Sequence, residues 1–183
     1  MQRWQIGAGM GRETAAAAYG FLSISGTLEQ GLLGGLLVLN ELGRPLEFHC
    51  TASVKANRAQ QILYGPTLAP FLYGEQIGTT LAAKAKHPMR MYFVAQPETL
   101  AMRPTIDVPV ALVLPRDAAR REELSRHRFE TVSLAGFTLG THFADPDDSR
   151  RITEACEALL DFDLLEPFER IEEAVAEAQK TAA

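Results

Sequence analysis

The sequence predicts an α+β domain: an antiparallel or mixed β-sheet with packed helices and a C-terminal αα-hairpin. Strand-like and helix-like segments occur in blocks, in the order βββ-αα-ββ-α-ββ-αα. Segregation of this kind favours α+β over a doubly wound parallel sheet. Alternating polarity around residues 36–51 indicates a β-hairpin, and residues 145–183 carry two apolar stripes with helical spacing. The 183 residues, 46% of them apolar, fit one globular domain.

The first block is predicted to be a three-stranded unit that follows an N-terminal arm. Residues 1–12 are rich in glycine and predict a flexible arm. Residues 19–25 contain aromatic and β-branched side chains that favour a first strand. Residues 36–39 form an unbroken apolar run, which is typical of a strand buried on both faces.

The third strand alternates, and the alternation assigns each side chain to a face. Leu46, Phe48 and Cys50 share one face, which we expect to point towards the core. His49 and its alternating neighbours would then point outwards. A buried Cys50 would be a small core residue and not a nucleophile, because a reactive thiolate needs exposure and a nearby base.

Helices are predicted to follow the hairpin. Asn57 is a favourable N-cap, and Gln60 stands three residues later, at the capping-box spacing. Gly65 and Pro66 end this helix and begin a second one, which runs to about residue 86. Further strands are predicted at residues 90–95, 108–114, 129–134 and 137–141, with a short polar helix at residues 118–126 between them.

The C-terminal segment predicts two amphipathic helices. Apolar side chains recur at helical spacing from Ile152 to Leu160 and again from Phe168 to Ala178. The link between them is short, so we expect an antiparallel αα-hairpin. The predicted organisation is one domain: an arm over residues 1–12, an α+β core over 13–144, and a helical hairpin over 145–183 packed on that core.

Charge is distributed unevenly along the chain. Residues 145–177 contain twelve acidic and three basic residues, so this segment carries −9 and the rest carries +4 of the net −5. The basic residues cluster at 84–90 and 116–128. With a pI near 5.4 and no basic stripe over a whole face, we expect nucleic acid to be an unlikely partner.

Cysteine content and hydropathy predict a cytoplasmic protein. The two cysteines form no disulfide framework, which is typical of reduced, cytosolic chains. No signal segment is visible, and the longest apolar run is far short of the roughly 20 residues that span a bilayer.

Two clusters are candidate ligand sites. His142, Asp145, Asp147 and Asp148 are hard ligands that a divalent metal could use, although Asp-Pro-Asp-Asp before a helix is also ordinary capping chemistry. Lys55, Asn57 and Arg58 stand at a helix start, where anions bind.

A third candidate is an interaction surface. Many large apolar side chains fall on two short helices broken by Gly65, Pro66, Pro70 and Gly74, and we expect some of them to remain exposed. These predicted interaction residues are Tyr64, Leu68, Phe71, Leu72 and Tyr73.

No catalytic residue and no cofactor is predicted. The glycines at positions 7, 9 and 11 miss the dinucleotide fingerprint, since its third glycine would stand at 12. The hairpin of residues 36–51 and its following helix loosely resemble the profilin-like and roadblock platforms. The resemblance covers about 35 residues and no functional motif, so it implies a fold only.

These observations favour a non-catalytic protein-interaction module, a subunit or adaptor of a bacterial-type complex that binds a protein partner or forms a homo-oligomer. One alternative is a small metal-dependent hydrolase that uses the His142–Asp148 cluster. Another is a nucleic-acid accessory protein that uses the basic residues at 116–128.

Overall fold

A seven-stranded mixed sheet forms the centre of the computed structural model, which describes residues 18–124, 127–134, 136–143, 145–159 and 162–182. The strands are β1 (Ala18–Thr27), β2 (Gly31–Leu39), β3 (Pro45–Cys50), β4 (Met89–Val94), β5 (Val110–Val113), β6 (Glu130–Leu134) and β7 (Phe137–Thr141). Their spatial order is β3-β2-β1-β4-β5-β7-β6. The predicted α+β class with a mixed sheet is confirmed. The predicted arm, residues 1–12, lies outside the described residues.

Strand directions divide the sheet at β1 and β4. Strands β1, β2 and β3 form an antiparallel meander, whereas β4 pairs in parallel with β1 and β5 pairs in parallel with β4. Strands β7 and β6 complete the other edge as an antiparallel pair. Because β1 and β3 are both antiparallel to β2, the carboxyl ends of β1, β3, β4 and β5 lie at one edge of the sheet, called the carboxyl edge below.

Helical segments connect the strands. Helix α1 (Arg58–Tyr64) begins at the Asn57 capping box. The helical stretch α2 follows through Gly65–Thr67, Leu68–Pro70, the π-helical Phe71–Gly78 and Thr79–Ala82. A 3₁₀ segment, Pro97–Thr105, joins β4 to β5, and α3 (Ala118–Leu124) joins β5 to β6. Helix α4 (Asp148–Cys156), the turn Glu157–Leu159 and helix α5 (Glu166–Ala182) complete the fold. No helix in these ranges is long and apolar enough to cross a bilayer.

Each face of the sheet has its own apolar core. On one face, Leu36 and Val94 pack with Leu72 and Leu81 of α2 and with Met102 of the 3₁₀ segment. The other face is covered by α4 and α5, which supply Ile152, Cys156, Phe168, Ile171 and Val175. Both C-terminal helices therefore pack on the sheet itself, and the predicted αα-hairpin is not confirmed.

Strand β2 begins five residues earlier than the sequence predicts. Gly34 and Gly35, which looked like a boundary, lie inside the strand where helices approach both faces. A Cβ atom on Gly34 would stand 2.3 Å from Ile77 of α2, and one on Gly35 would stand 2.5 Å from Ile171 of α5. Because these two glycines lack side chains, the helices can pack closely on β2, and the glycines do not indicate a turn.

Leu46 packs on the core as predicted, but from Glu47 onwards β3 presents the opposite face from the one predicted. The Glu47 side chain is only 9% exposed, whereas Cys50 is exposed and Phe48 is 38% exposed. The prediction of a buried Cys50 is wrong because β3 is an edge strand and its shielded face is the one that holds Glu47 and His49.

Candidate functional site

The topological switch point of the sheet lies at the carboxyl ends of β1 and β4. From these adjacent parallel strands the chain continues to β2 on one side and to β5 on the other, and such crevices are where open sheets bind ligands. Gln96 follows β4 and bonds to β1. Its Oε1 accepts from the Ile24 N–H at 3.1 Å, and its Nε2 donates to the Ile24 carbonyl at 2.9 Å and to Ser23 Oγ at 3.4 Å.

The side chains at the switch point are polar and mostly uncharged. Ser23 and Thr99 are buried, and the Thr99 hydroxyl has no hydrogen-bond partner in the described structure. Glu98 contributes a carboxylate, and its Oε1 lies 3.9 Å from His127 Nε2. Divalent cations prefer several carboxylate or carbonyl oxygens. No group of three or more His, Cys, Asp or Glu residues within the described ranges could hold a metal ion, so these residues do not fit a metal centre.

The predicted anion-binding residues lie together at the same carboxyl edge. Lys55 and Arg58 follow β3 and are exposed, and Val54 forms a bridge with Leu32 at the start of β2. Asn57 Oδ1 accepts from the Gln60 N–H at 2.8 Å, and Gln60 Oε1 accepts from the Asn57 N–H at 3.0 Å. The helix start is thus capped by its own side chains, which leaves the two cations as the groups that could bind an anion.

Exposed apolar side chains follow directly on α1. Ile62 is 64% exposed and Leu63 is 81% exposed. Leu68 and Leu72 of the predicted interaction set are instead buried in the core. Tyr64 and Phe71 are partly buried and stack at 4.3 Å between ring centroids, and Tyr73 also packs on the core. The large apolar side chains that are exposed in this region therefore lie on α1, outside the predicted interaction set.

The predicted metal ligands near α4 are engaged by arginines. The Arg103 Nε donates to Asp148 Oδ2 at 2.6 Å, and its Nη2 donates to Asp148 Oδ1 at 2.9 Å and to Asp145 Oδ2 at 3.0 Å. Arg151 also donates to Asp145, at 3.3 Å. Burial and the nearby Arg103 lower the pKa of His142. These hydrogen bonds and ion pairs link the 3₁₀ segment to the start of α4.

A cluster of Glu47, His49 and His87 was missed by sequence reasoning. Glu47 accepts hydrogen bonds from the Lys86 and His87 N–H groups at 2.9 and 3.0 Å. It also binds His49 Nε2 at 2.8 Å and His87 Nδ1 at 2.5 Å. Burial opposes ionisation of Glu47, but these hydrogen bonds outweigh it and lower its pKa to about 2. His87 lies 40 residues from Glu47, so only the folded chain brings the three together.

The fold places the chain in the class of mixed α+β sheets with an antiparallel meander beside parallel strands. Its sequence matches no protein-family model and no curated protein. Among solved structures, the catalytic domain of human Endonuclease V aligns with a TM-score of 0.50 and 14% identity, covering 92% of this chain and 85% of that one.

Two further Endonuclease V structures align over most of this chain. A human structure has a TM-score of 0.49 and 15% identity, covering 94% of this chain and 90% of that one. Endonuclease V of Ciona intestinalis, in complex with a 24mer DNA containing an inosine followed by a ribo-adenosine, has a TM-score of 0.44 and 8% identity. It covers 92% of this chain and 88% of that one.

These comparisons correct the functional prediction. The solved structure that shares the fold is the catalytic domain of an endonuclease, so the prediction of a non-catalytic, oligomeric protein-interaction module is contradicted. The likeness to the catalytic domain of an endonuclease also contradicts the expectation that nucleic acid is an unlikely partner. The net charge averages a strongly acidic C-terminal segment with a basic remainder, so it does not describe the charge of each surface.

Proposed function

We propose that the protein binds nucleic acid at its carboxyl edge. The observation that carries this proposal is the shared fold with the catalytic domain of human Endonuclease V across 92% of the chain. Fold alone does not determine function, so the groups on the surface must supply the rest.

Two cationic and two apolar side chains at the carboxyl edge could contact a nucleic acid. Lys55 and Arg58 are exposed beside the switch point and would contact backbone phosphates, which supply most of the affinity for nucleic acids. Ile62 and Leu63 are exposed a few residues further on and would contact bases, as apolar side chains do at other nucleic-acid interfaces. Of the predicted anion-binding residues, Lys55 and Arg58 would thus contact phosphate, whereas Asn57 caps the start of α1.

The same surface supports binding better than metal-dependent cleavage. Cleavage by metal ions needs ligands that fix the metal beside the scissile phosphate. At the switch point, Ser23 and Gln96 offer a hydroxyl and an amide, and the amide is bonded to the chain's own backbone. We therefore propose a nucleic-acid accessory protein, and not a metal-dependent hydrolase.

Fluorescence anisotropy with labelled oligonucleotides of about 20 nucleotides tests this proposal. The double variant Lys55→Gln/Arg58→Gln should bind about tenfold more weakly and should lower the salt slope by about 1 to 2. The matched control is Arg150→Gln, because Arg150 is an exposed arginine on α4 that already pairs with Glu154 at 2.8 Å.

The control should bind within a factor of about two of the wild type, since a solvated ion pair contributes little. Equal affinities for the wild type and the Lys55→Gln/Arg58→Gln variant would refute this site. If the protein cleaves the oligonucleotide in Mg²⁺ and chelation abolishes the cleavage, the protein is a nuclease and not an accessory protein.

A further inference from the structure

We propose that His49 and His87, held by Glu47, form a phosphate-binding site that operates when both histidines are protonated. The site is formed by β3 and the loop before β4, and it shares no residue with the Lys55 and Arg58 site. It does not depend on the proposed carboxyl-edge interface. Its ligand class is the phosphate group, whether free or part of a nucleic-acid backbone.

The Glu47 carboxylate fixes both imidazole rings. It is only 9% exposed and ionised, and it holds His49 through Nε2 and His87 through Nδ1. A carboxylate only accepts hydrogen bonds, so the nitrogen that each ring turns towards Glu47 carries a proton. This contact fixes the tautomer of the neutral imidazole, as it does in other carboxylate–histidine pairs.

The opposite nitrogens are left for an external ligand. These are Nδ1 of His49 and Nε2 of His87, and neither has a partner in the described structure. The rings are accessible, with 25% of the His49 side chain and 41% of the His87 side chain exposed. A neutral ring presents a lone pair there, which repels a phosphate oxygen. A protonated ring presents an N–H, which binds it.

The surrounding charge also favours an anion. Lys84 and Lys86 are exposed on the loop that donates to Glu47. Together with Glu47 they give a net charge of +1 when both histidines are neutral and +3 when both are protonated. Tyr92 of β4 stays neutral, because burial, together with the charge of Glu47, raises its pKa to about 12.

Two other charged groups near the first strand act on Tyr19 in opposite directions. Arg90 and Glu41 are both close enough to Tyr19 to influence its pKa, one lowering and one raising it. Histidines are the side chains that ordinarily titrate between pH 5 and 8.

Two probes test the site, inorganic phosphate and a labelled oligonucleotide. Phosphate should shift the NMR resonances of two of the four histidines. The site is confirmed if lowering the pH from 8 to 5.5 raises the affinity for phosphate, for the oligonucleotide or for both by about tenfold. One added charge-assisted hydrogen bond has an effect of this size. The variant His49→Gln/His87→Gln keeps an N–H for Glu47 and should lose this dependence.

The matched control is His127→Gln, because His127 is 42% exposed and lies 3.9 Å from a different carboxylate, Glu98. The control should retain the full pH dependence. A response to phosphate alone assigns the site to free phosphate, and a response to the oligonucleotide alone assigns it to the backbone. The inference fails if neither probe responds or if the double variant keeps the pH dependence.

The two proposals can fail separately. Binding at pH 8 that depends on Lys55 and Arg58 tests only the carboxyl edge, because histidines are largely neutral there. If the His49→Gln/His87→Gln variant does not fold, as judged by circular dichroism, the phosphate titration of the wild type decides. Shifts of the His49 and His87 resonances support the site, and their absence overturns it.

Discussion

At the scale of single residues, Asp148 and Arg103 form the most deeply buried charged contact in the described structure. Asp148 is fully buried and Arg103 is 6% exposed, and two hydrogen bonds join them. Removing one partner of such a pair leaves the other charge without compensation. The contact links the 3₁₀ segment after β4 to the first turn of α4.

We predict that Asp148→Asn lowers the free energy of unfolding by about 3 kcal/mol, because Arg103 then keeps a buried, underbalanced charge. Chemical denaturation measures this change. Asp147→Asn is the control, since Asp147 is 68% exposed, and it should change the stability by less than about 0.5 kcal/mol. Equal effects of the two substitutions would show that the Arg103 contact adds nothing to stability.

The two cysteines should differ strongly in reactivity. Cys50 is exposed on β3, whereas Cys156 is fully buried beside Met91 and burial raises its pKa to about 12. A thiol reagent should therefore label one cysteine per native chain quickly and both after denaturation. Cys50→Ala should abolish the rapid phase, and rapid labelling that persists in this variant would contradict the structure.

Pair contacts of this kind could not be predicted from the sequence. Arg103 and Asp148 lie 45 positions apart, and no local pattern marks Arg103 as buried. The Asn57 capping box, by contrast, was predicted correctly because all of its atoms lie within four residues. Alternation in β3 gave the correct period but not the correct face, since an edge strand has no second neighbour to fix its orientation.

At the scale of elements, helices from both layers approach β2 closely at its paired glycines, Gly34 and Gly35. A Cβ atom on Gly35 would stand 2.5 Å from Ile171 Cγ2 and 2.8 Å from Val175 Cγ2. Both are β-branched side chains with little rotamer freedom in a helix. The position of α5 on the sheet therefore depends on the absence of a side chain at residue 35.

Gly35→Ala should lower the free energy of unfolding by about 1–3 kcal/mol through overpacking. In the background of Ile171→Ala, which removes the nearest methyl group, the same substitution should cost clearly less. A double-mutant cycle measures this coupling. A coupling energy of zero would mean that α5 does not press on β2 at this glycine.

The order of elements was predictable, but the pairing of strands was not. Local periodicity located all seven strands and most helices to within a few residues. The parallel pairing of β1 with β4 depends on contacts about seventy residues apart, which local patterns do not contain. The apolar stripes of α4 and α5 were also correct, but periodicity alone cannot distinguish packing on a partner helix from packing on a sheet.

At the scale of the whole molecule, acidic and basic side chains lie on different parts of the surface. The acidic residues concentrate in the C-terminal segment, whereas Lys55 and Arg58 lie on the carboxyl edge and the Glu47–His49–His87 cluster joins β3 to the loop before β4. A protein of low pI can therefore still present local cationic groups to a phosphate backbone. Alternation in β3 placed Glu47 and His49 on one face, but no local pattern places His87 beside them, because only the fold brings the loop before β4 to β3.

Amide hydrogen exchange with and without a bound oligonucleotide tests the central claim most directly, because it locates the contact surface without substitutions. At pH 8, we expect slowed exchange in residues 53–64, which contain Lys55, Arg58 and the exposed Leu63. Exchange in α5 should be unchanged, since that helix covers the opposite face and is strongly acidic. Binding without protection of residues 53–64, or protection confined to α5, would contradict the proposed interface.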